Sequence, residues 1–206
     1  MKKISVLIVD DHLITRLGLK SLLDTCPDIT VVGDAADGEE ALALVAKTRP
    51  DVAIVDLMMP GMDGVETTRQ IAAKHPDTRV LILTTFGTAD GIGHALEAGA
   101  LGALMKDAKA ETLLTAVRTV ADGKRSVAPQ IARILRNDPP RPTLSPRQTE
   151  ILGLVTQGRS NKEIAQTLSL STAMVNEHVN AIFAKLGAAN RTEAAAIALR
   201  KHLLKA

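Results

Sequence analysis

Hydrophobic and polar positions alternate between two periods through the first part of the chain. Ile4–Val9 is a short apolar run rich in β-branched residues, and His12–Leu23 then carries leucines at helical spacing. The same exchange recurs four times. Ile29–Gly33, Val52–Val55, Val80–Leu83 and Ala103–Met105 read as strands. Gly38–Lys47, Val65–Lys74, a stretch containing His94–Ala98, and Glu111–Ala121 read as helices. Strands that alternate with helices predict a parallel sheet covered on both faces. Right-handed crossovers then favour a doubly wound α/β arrangement of five strands.

The pattern changes after residue 122. No strand is evident. Pro129, Pro139, Pro140, Pro142 and Gly123 mark residues 123–142 as a linker, with Ile131, Ile134 and Leu135 able to form one short helix. Arg136–Pro142 is not expected to be regular helix. Four helical segments follow in residues 143–206. Ser145-Pro146-Arg147-Gln148 supplies an N-cap, a proline at the first helical position and a capping-box glutamine. Ser160-Asn161-Lys162-Glu163 is a second capping box, Ser171 caps a third helix that Gly187 ends, and Asn190-Arg191-Thr192-Glu193 opens the fourth.

Composition narrows the functions open to such a chain. The 206 residues are 46% hydrophobic and 23% charged, as expected of a globular protein rather than a disordered one. Cys26 is the single cysteine, so there is no internal disulfide and no cysteine-based zinc site. No apolar run approaches the ~18 residues of a membrane span. The run that opens near Met1 is ended early by Asp10 and Asp11, unlike a signal peptide. The expected compartment is the cytoplasm, with no membrane partner. The net charge of +2 conceals an asymmetry. Residues 1–122 hold 12 Lys and Arg against 18 Asp and Glu, a balance of −6; residues 123–206 hold 13 against 5, a balance of +8. A basic second part suits a polyanion. Phe86 and Phe183 are the only aromatics, so a surface that stacks unpaired bases is not expected.

The predicted sheet gathers chemistry at one edge. Asp10 and Asp11 follow the first strand, Asp56 follows the third, Thr84 ends the fourth and Lys106 follows the fifth. Strand carboxyl ends are where doubly wound folds place ligands. Three converging carboxylates repel one another unless a cation sits among them, and an all-oxygen site suits Mg²⁺. A lysine and a hydroxyl at the same edge can hold an anion, which is equipment for phosphoryl transfer, with one carboxylate as nucleophile. Taken singly, each residue is more often a turn, cap or solvated charge; the joint placement points to a site. In the second part, Ser160–Thr167 and Ser171–Leu186 flank a short turn. Ile164, Ala165 and Leu168 can pack against Val175, Val179 and Ile182, the layout of a helix-turn-helix.

Local motifs sharpen both readings. Val9-Asp10-Asp11-His12, Asp56-Leu57-Met58-Met59-Pro60-Gly61-Met62-Asp63-Gly64, Leu83-Thr84-Thr85-Phe86, and Ala98-Gly99-Ala100 leading to Lys106 make residues 1–122 resemble a response-regulator receiver domain. The resemblance implies a flavodoxin-like sheet order 2-1-3-4-5. It implies that Asp56 accepts a phosphoryl group from a sensor histidine kinase. Mg²⁺ would be held by Asp10, Asp11, Asp56 and the Met58 backbone carbonyl, with Thr84 and Lys106 on the phosphoryl oxygens. Leu144-Ser145-Pro146-Arg147, Gly158–Ala165, Val175, His178, Lys185-Leu186-Gly187 and Asn190–Ala194 resemble the DNA-binding domain of NarL/FixJ (LuxR-type) regulators. Lys162, Thr172, Val175, Asn176, Asn180, Lys185 and Arg191 are the residues expected at double-stranded DNA.

The match has departures. Ala103 stands where the family commonly has an aromatic residue that turns inward on activation. Gly91 and Gly93 fall where a helix should begin. Met174-Val175-Asn176 replaces a usual Thr-Val-Lys, and Glu177 and Asn180 take often basic or neutral positions. Asn176 and Asn180 suit adenine edges, since an amide pairs bidentately with adenine. His12, His75, His94, His178 and His202 show no metal-ligand spacing. The reading is a transcription factor rather than an enzyme, a homodimer when active, with Ala194, Ile197, Ala198 and Leu199 as a candidate dimer face or intradomain core. The alternatives are a switch acting on protein partners with little DNA binding, and a flavodoxin-like enzyme with an appended helical domain.

Overall fold

A computed structural model describes residues 3–85, 89–137, 140, 144–200 and 203. Phe86, Met1, Lys2, His202 and the linker residues Asp138, Pro139, Arg141 and Pro142 lie outside the described residues. The chain divides into two compact units, Met1–Pro140 and Arg141–Ala206.

The first unit is an α/β domain. Its strands are β1 (Ile4–Val9), β2 (Ile29–Ala35), β3 (Val52–Val55), β4 (Arg79–Thr84), β5 (Gly102–Met105) and β6 (Ser126–Val127). All pair in parallel, in the order β2-β1-β3-β4-β5-β6. The order of the first five is the expected one; the sixth strand is new. β6 is two residues long, too short for a period-2 pattern, and it joins the edge through Ser126 N to Leu101 O and Ala128 N to Ala103 O. The helices are α1 (Leu13–Asp24), α2 (Gly38–Thr48), α3 (Gly64–Lys74), α4 (Ala89–Glu97), α5 (Ala110–Ala121) and α6 (Pro129–Asn137). Every residue of β3 is buried, as expected of a central strand covered on both faces.

Residues 126–137, expected in the linker, are part of this first unit. Pro129 opens α6 at a position where a missing N–H costs nothing, and the helix runs on through Arg136 and Asn137. Ile131 is fully buried in the core of the first unit, and Leu135 packs against that core. Gly91 and Gly93 lie inside α4 rather than in a preceding loop. A Cβ on Gly93 would sit 2.5 Å from Cβ of Pro140, so the bare backbone there makes room for the chain leaving α6. Ala103 is fully buried in the same core.

The second unit holds α7 (Pro146–Thr156), α8 (Asn161–Thr167), α9 (Thr172–Leu186) and α10 (Arg191–Arg200). Both expected capping boxes form, at Ser145/Gln148 and Ser160/Glu163. Ser171 caps α9 by accepting from Met174 N, and Gly187 ends it in the left-handed region at φ 64. The core is built from Ile151, Leu152, Val155, Ile164, Val175, Val179, Ile182 and Ala198. Ala194 and Ala198 thus point into the domain, while Leu199 is 65% exposed.

Candidate functional site

Parallel register places the acidic edge. Val9 pairs with both Ala35 and Val55, so the residues that follow β1 and β3 emerge side by side. Asp10 N donates to Ala35 O and Asp56 N donates to Val9 O, each extending the ladder by one bond. Lys106 N donates to Thr84 O in the same way beyond β5. Four strands thereby deliver Asp10, Asp56, Thr84 and Lys106 to one edge, as the sequence pattern predicts.

Asp10 and Asp56 are 2% and 4% exposed, which is unusual for carboxylates and requires compensation. Lys106 supplies it. Its Nζ lies 2.6 Å from Asp10 Oδ2 and 2.8 Å from Asp56 Oδ2. Burial pulls the Lys106 ammonium toward a lower pKa, but its hydrogen bonds to Asp10 and Asp56 and their charges outweigh that, and the net direction is upward. The lysine therefore stays charged. Asp11 is less buried. His12 Nδ1 comes within 2.7 Å of Asp11 Oδ1 without hydrogen-bond geometry, and that buried oxygen keeps an unsatisfied lone pair. Ligand atoms of Asp10, Asp11, His12 and Asp56 all lie within 4.8 Å of one another. His12 joins this cluster although its spacing in sequence gave no such signal.

The donor set fits a hard divalent cation. Three carboxylates face one lysine, which leaves excess negative charge and free oxygen lone pairs. Thr84 Oγ1 is fully buried with no hydrogen-bond partner among the described residues. A buried hydroxyl with a donor to give, at the same sheet edge as this cluster, fits an anionic oxygen acceptor. Met58 follows in the loop after β3, with its N–H 3.5 Å from Asp56 Oδ1 and its side chain 70% exposed. Gly64 lets this loop close: a Cβ there would meet the Asp56 carbonyl oxygen at 2.1 Å.

One residue that supports the edge escaped the sequence reading. Arg16, on α1, donates from Nη1 to the carbonyl oxygens of Asp10 (2.7 Å) and Asp11 (3.3 Å), and from Nε to Asp34 Oδ2 at 2.9 Å. It fastens the acidic loop by its backbone. No motif marks it, because two of its three partners are main-chain carbonyls and the third, Asp34, lies on another strand.

In the second unit, α8 and α9 pack as a helix-turn-helix across the turn at Leu168–Leu170. Thr172, Asn176, Glu177 and Asn180 are exposed along α9. Val175 is the exception among the residues expected at DNA. It is fully buried with Val179 and Ile182, because the i, i+4, i+7 spacing that makes the core stripe includes it. Val175 holds the helix and is withdrawn from the contact set. Lys162 is exposed on α8. Lys185 Nζ donates to Gln148 Oε1 at 2.9 Å, tying α9 to α7. Arg191 donates from Nη1 to Asn161 Oδ1 at 3.1 Å and from Nη2 to the Arg159 carbonyl, so its guanidinium is partly committed within the domain. Hydrogen bonds from the Ser160 backbone N–H and then its hydroxyl hold Glu163 below the usual carboxylate range, which reinforces the cap of α8.

Comparison with known proteins agrees with this architecture. Residues 6–118 match the response regulator receiver domain family, and residues 142–198 match the bacterial regulatory proteins of the luxR family. The transcriptional regulatory protein LiaR of Bacillus subtilis (strain 168) is 38% identical over 209 residues, covering 98% of this chain and 99% of its own. The crystal structure of the response regulator ChrA from a heme-sensing two-component system is 42% identical, with coverages of 99% and 100% and a TM-score of 0.58. The two-component response regulator RcsB in complex with DNA is 26% identical, with coverages of 95% and 98% and a TM-score of 0.64. A receiver fold joined to a LuxR-type helix-turn-helix defines a class of signalling proteins. This chain belongs to the LuxR-family response regulators, and it is a DNA-binding transcriptional regulator of a two-component system. No helix among the described residues is long and apolar enough to cross a membrane.

Proposed function

We propose that Asp56 is the phosphoacceptor and that its phosphorylation by a partner histidine kinase switches DNA binding through the second unit. The observation that carries this reading is the Lys106 ammonium bonded to both Asp10 and Asp56 at the sheet edge where the Thr84 hydroxyl has no partner among the described residues. A carboxylate oxygen of Asp56 would attack phosphorus, forming a P–O bond as the P–N bond to the kinase imidazole breaks; the departing imidazole nitrogen takes a proton. Lys106 would then leave Asp10 to follow the new phosphoryl oxygens, and Thr84 Oγ1 would donate to one of them. Asp10, Asp11, Asp56 and the Met58 carbonyl would hold Mg²⁺, which supplies charge neutralisation for the phosphoryl group.

The phosphoryl group adds charge and acceptor oxygens at the sheet edge, and repositioning of Thr84 and Lys106 biases the receiver between two packings. The DNA-contact set is Lys162, Thr172, Asn176, Asn180, Lys185 and Arg191. The active form is a homodimer whose two recognition helices meet two half-sites of an operator. The protein works in the cytoplasm and carries out no turnover of its own beyond its phosphorylation.

Selection of bound duplexes from a random DNA pool tests this, using full-length protein with and without Mg²⁺ and beryllium fluoride as phosphoryl mimic. The expected result is a two-half-site motif enriched with the mimic, and no response to the mimic in Asp56→Asn. Equal enrichment in both states would overturn the gating. No motif from folded protein that takes up the mimic would overturn DNA reading and favour a protein partner for α9.

A further inference from the structure

We propose that Asn161 is a positioning residue that fixes which way round Asn176 presents its amide, so that α9 reads a hydrogen-bond acceptor, guanine foremost, in the DNA major groove. The inference rests on the DNA-reading role proposed above for α9 and names what that role recognises.

A polarised chain of hydrogen bonds carries the argument. Arg191 donates to the Arg159 carbonyl and to Asn161 Oδ1 (3.1 Å), and Asn161 Nδ2 donates to Asn176 Oδ1 (2.7 Å). A guanidinium has only donors. Asn161 must therefore turn its carbonyl to Arg191, which leaves its amide nitrogen toward Asn176. Asn176 must in turn offer its carbonyl to Asn161. Its own Nδ2 is then left without a partner among the described residues, on an exposed position of α9. Each link excludes the opposite orientation of the next, because a reversed amide would set two donors against each other.

For Asn176 this orientation points away from the adenine partner expected from the sequence. Bidentate pairing with adenine needs both ends of the amide facing the base, carbonyl to N6 and nitrogen to N7. The Asn176 carbonyl is turned to Asn161, which occupies one of its lone pairs and leaves the Nδ2 donors as the end of the amide with no partner among the described residues. Guanine presents two adjacent acceptors, N7 and O6, in the major groove; thymine presents one, O4, beside its methyl group, cytosine presents a donor, N4, and adenine a donor beside its N7. Asn176 thereby offers donors as a lysine would, without the charge.

The test is a comparison of base preference. The duplex enriched with full-length protein, Mg²⁺ and beryllium fluoride is remade with each of the four bases at every half-site position. Binding is measured for wild type, Asn176→Ala, Asn161→Asp and Asn161→Ala. Wild type should prefer guanine at one position per half-site by roughly tenfold, and Asn176→Ala should flatten that position alone. In Asn161→Asp the new carboxylate still accepts from Arg191 but has no proton to give. Asn176 should then turn its nitrogen inward and its carbonyl outward, and preference at the same position should move to cytosine or adenine. A carboxylate in the first turn of α8 is favourable to the helix, so the variant should fold. Asn161→Ala should lower the guanine preference without inverting it. Retention of the full guanine preference in Asn161→Asp would overturn the orienting role. An unchanged profile in Asn176→Ala would overturn base reading by Asn176 while leaving DNA binding intact. Failure of wild type to enrich any motif would instead overturn the DNA-reading role on which the inference rests.

Discussion

The Lys106 ammonium lies 2.8 Å from Asp56 Oδ2, across fifty positions of sequence, and is shared with Asp10. Those two carboxylates are almost wholly buried, so the lysine is a structural cation as well as a ligand for an incoming anion. Removing one partner of a buried ion pair leaves an uncompensated charge, at a cost of about 3 kcal/mol. Lys106→Met should therefore be destabilised by about that amount in chelator, and millimolar Mg²⁺ should restore part of the loss by supplying another cation. Thermal unfolding with and without Mg²⁺ reads both effects. A variant as stable as wild type in chelator would show that the carboxylates do not depend on Lys106.

Arg16 acts on the same edge through the backbone of Asp10 and Asp11. Groups that orient metal ligands typically matter by about 10–100-fold in metal affinity. Arg16→Ala should weaken Mg²⁺ binding by about tenfold, read by titration, while leaving the fold in place. Arg16→Lys should not rescue it, because an ammonium cannot reproduce the fork that reaches two carbonyls and Asp34 together. Wild-type affinity in Arg16→Ala would remove the positioning role.

The alternation of strand and helix exposed the five-stranded sheet and its acidic edge, because apolar period and strand ends are local features of sequence. β6 was not visible: two residues carry no period, and their pairing is decided by where α5 delivers the chain. Val175 shows the opposite failure. Its core role was legible from its spacing to Val179 and Ile182, yet its place on the recognition helix put it in the contact set as well; burial decides for the core. Arg16 and Asn161 were invisible for a common reason. Each acts through hydrogen bonds that no spacing announces: Arg16 reaches backbone carbonyls five and six positions away, and Asn161 links side chains of three helices, so neither leaves a periodic trace.

Asp28 and Arg118 form a two-pronged pair at 2.7 and 2.9 Å, linking the start of β2 to α5. The hydrogen bond from Arg118 holds the Asp28 carboxyl below its ordinary value of 3.8. A carboxylate with a lowered folded-state pKa contributes stability that is complete above the unfolded value and is lost as pH falls through the folded one. Asp28→Asn should therefore be less stable than wild type at neutral pH, with the gap closing below pH ~4. The pair is solvent-exposed, so the gap should be small and should shrink in high salt. Unfolding curves at both pH values check it; a gap that persists in acid would mean packing, not charge, is at work.

Two helical glycines should respond to alanine in opposite directions. Gly18 lies in α1 with nothing within 4 Å of an added Cβ, so Gly18→Ala gains the helix propensity alone, about 1 kcal/mol. Gly93 lies in α4 under Pro140, whose Cβ and Cγ would both sit 2.5 Å from the new Cβ. A proline ring cannot swing aside as a flexible side chain does, so the chain at residue 140 or α4 itself must move. Overpacking of this kind costs about 1–3 kcal/mol, which exceeds the propensity gain. Gly93→Ala should therefore destabilise the first unit while Gly18→Ala stabilises it. Hydrogen exchange should place the loss of protection in α4 and α6, the two helices on either side of the contact. Stabilisation by both substitutions would mean that Pro140 does not rest on α4 in solution.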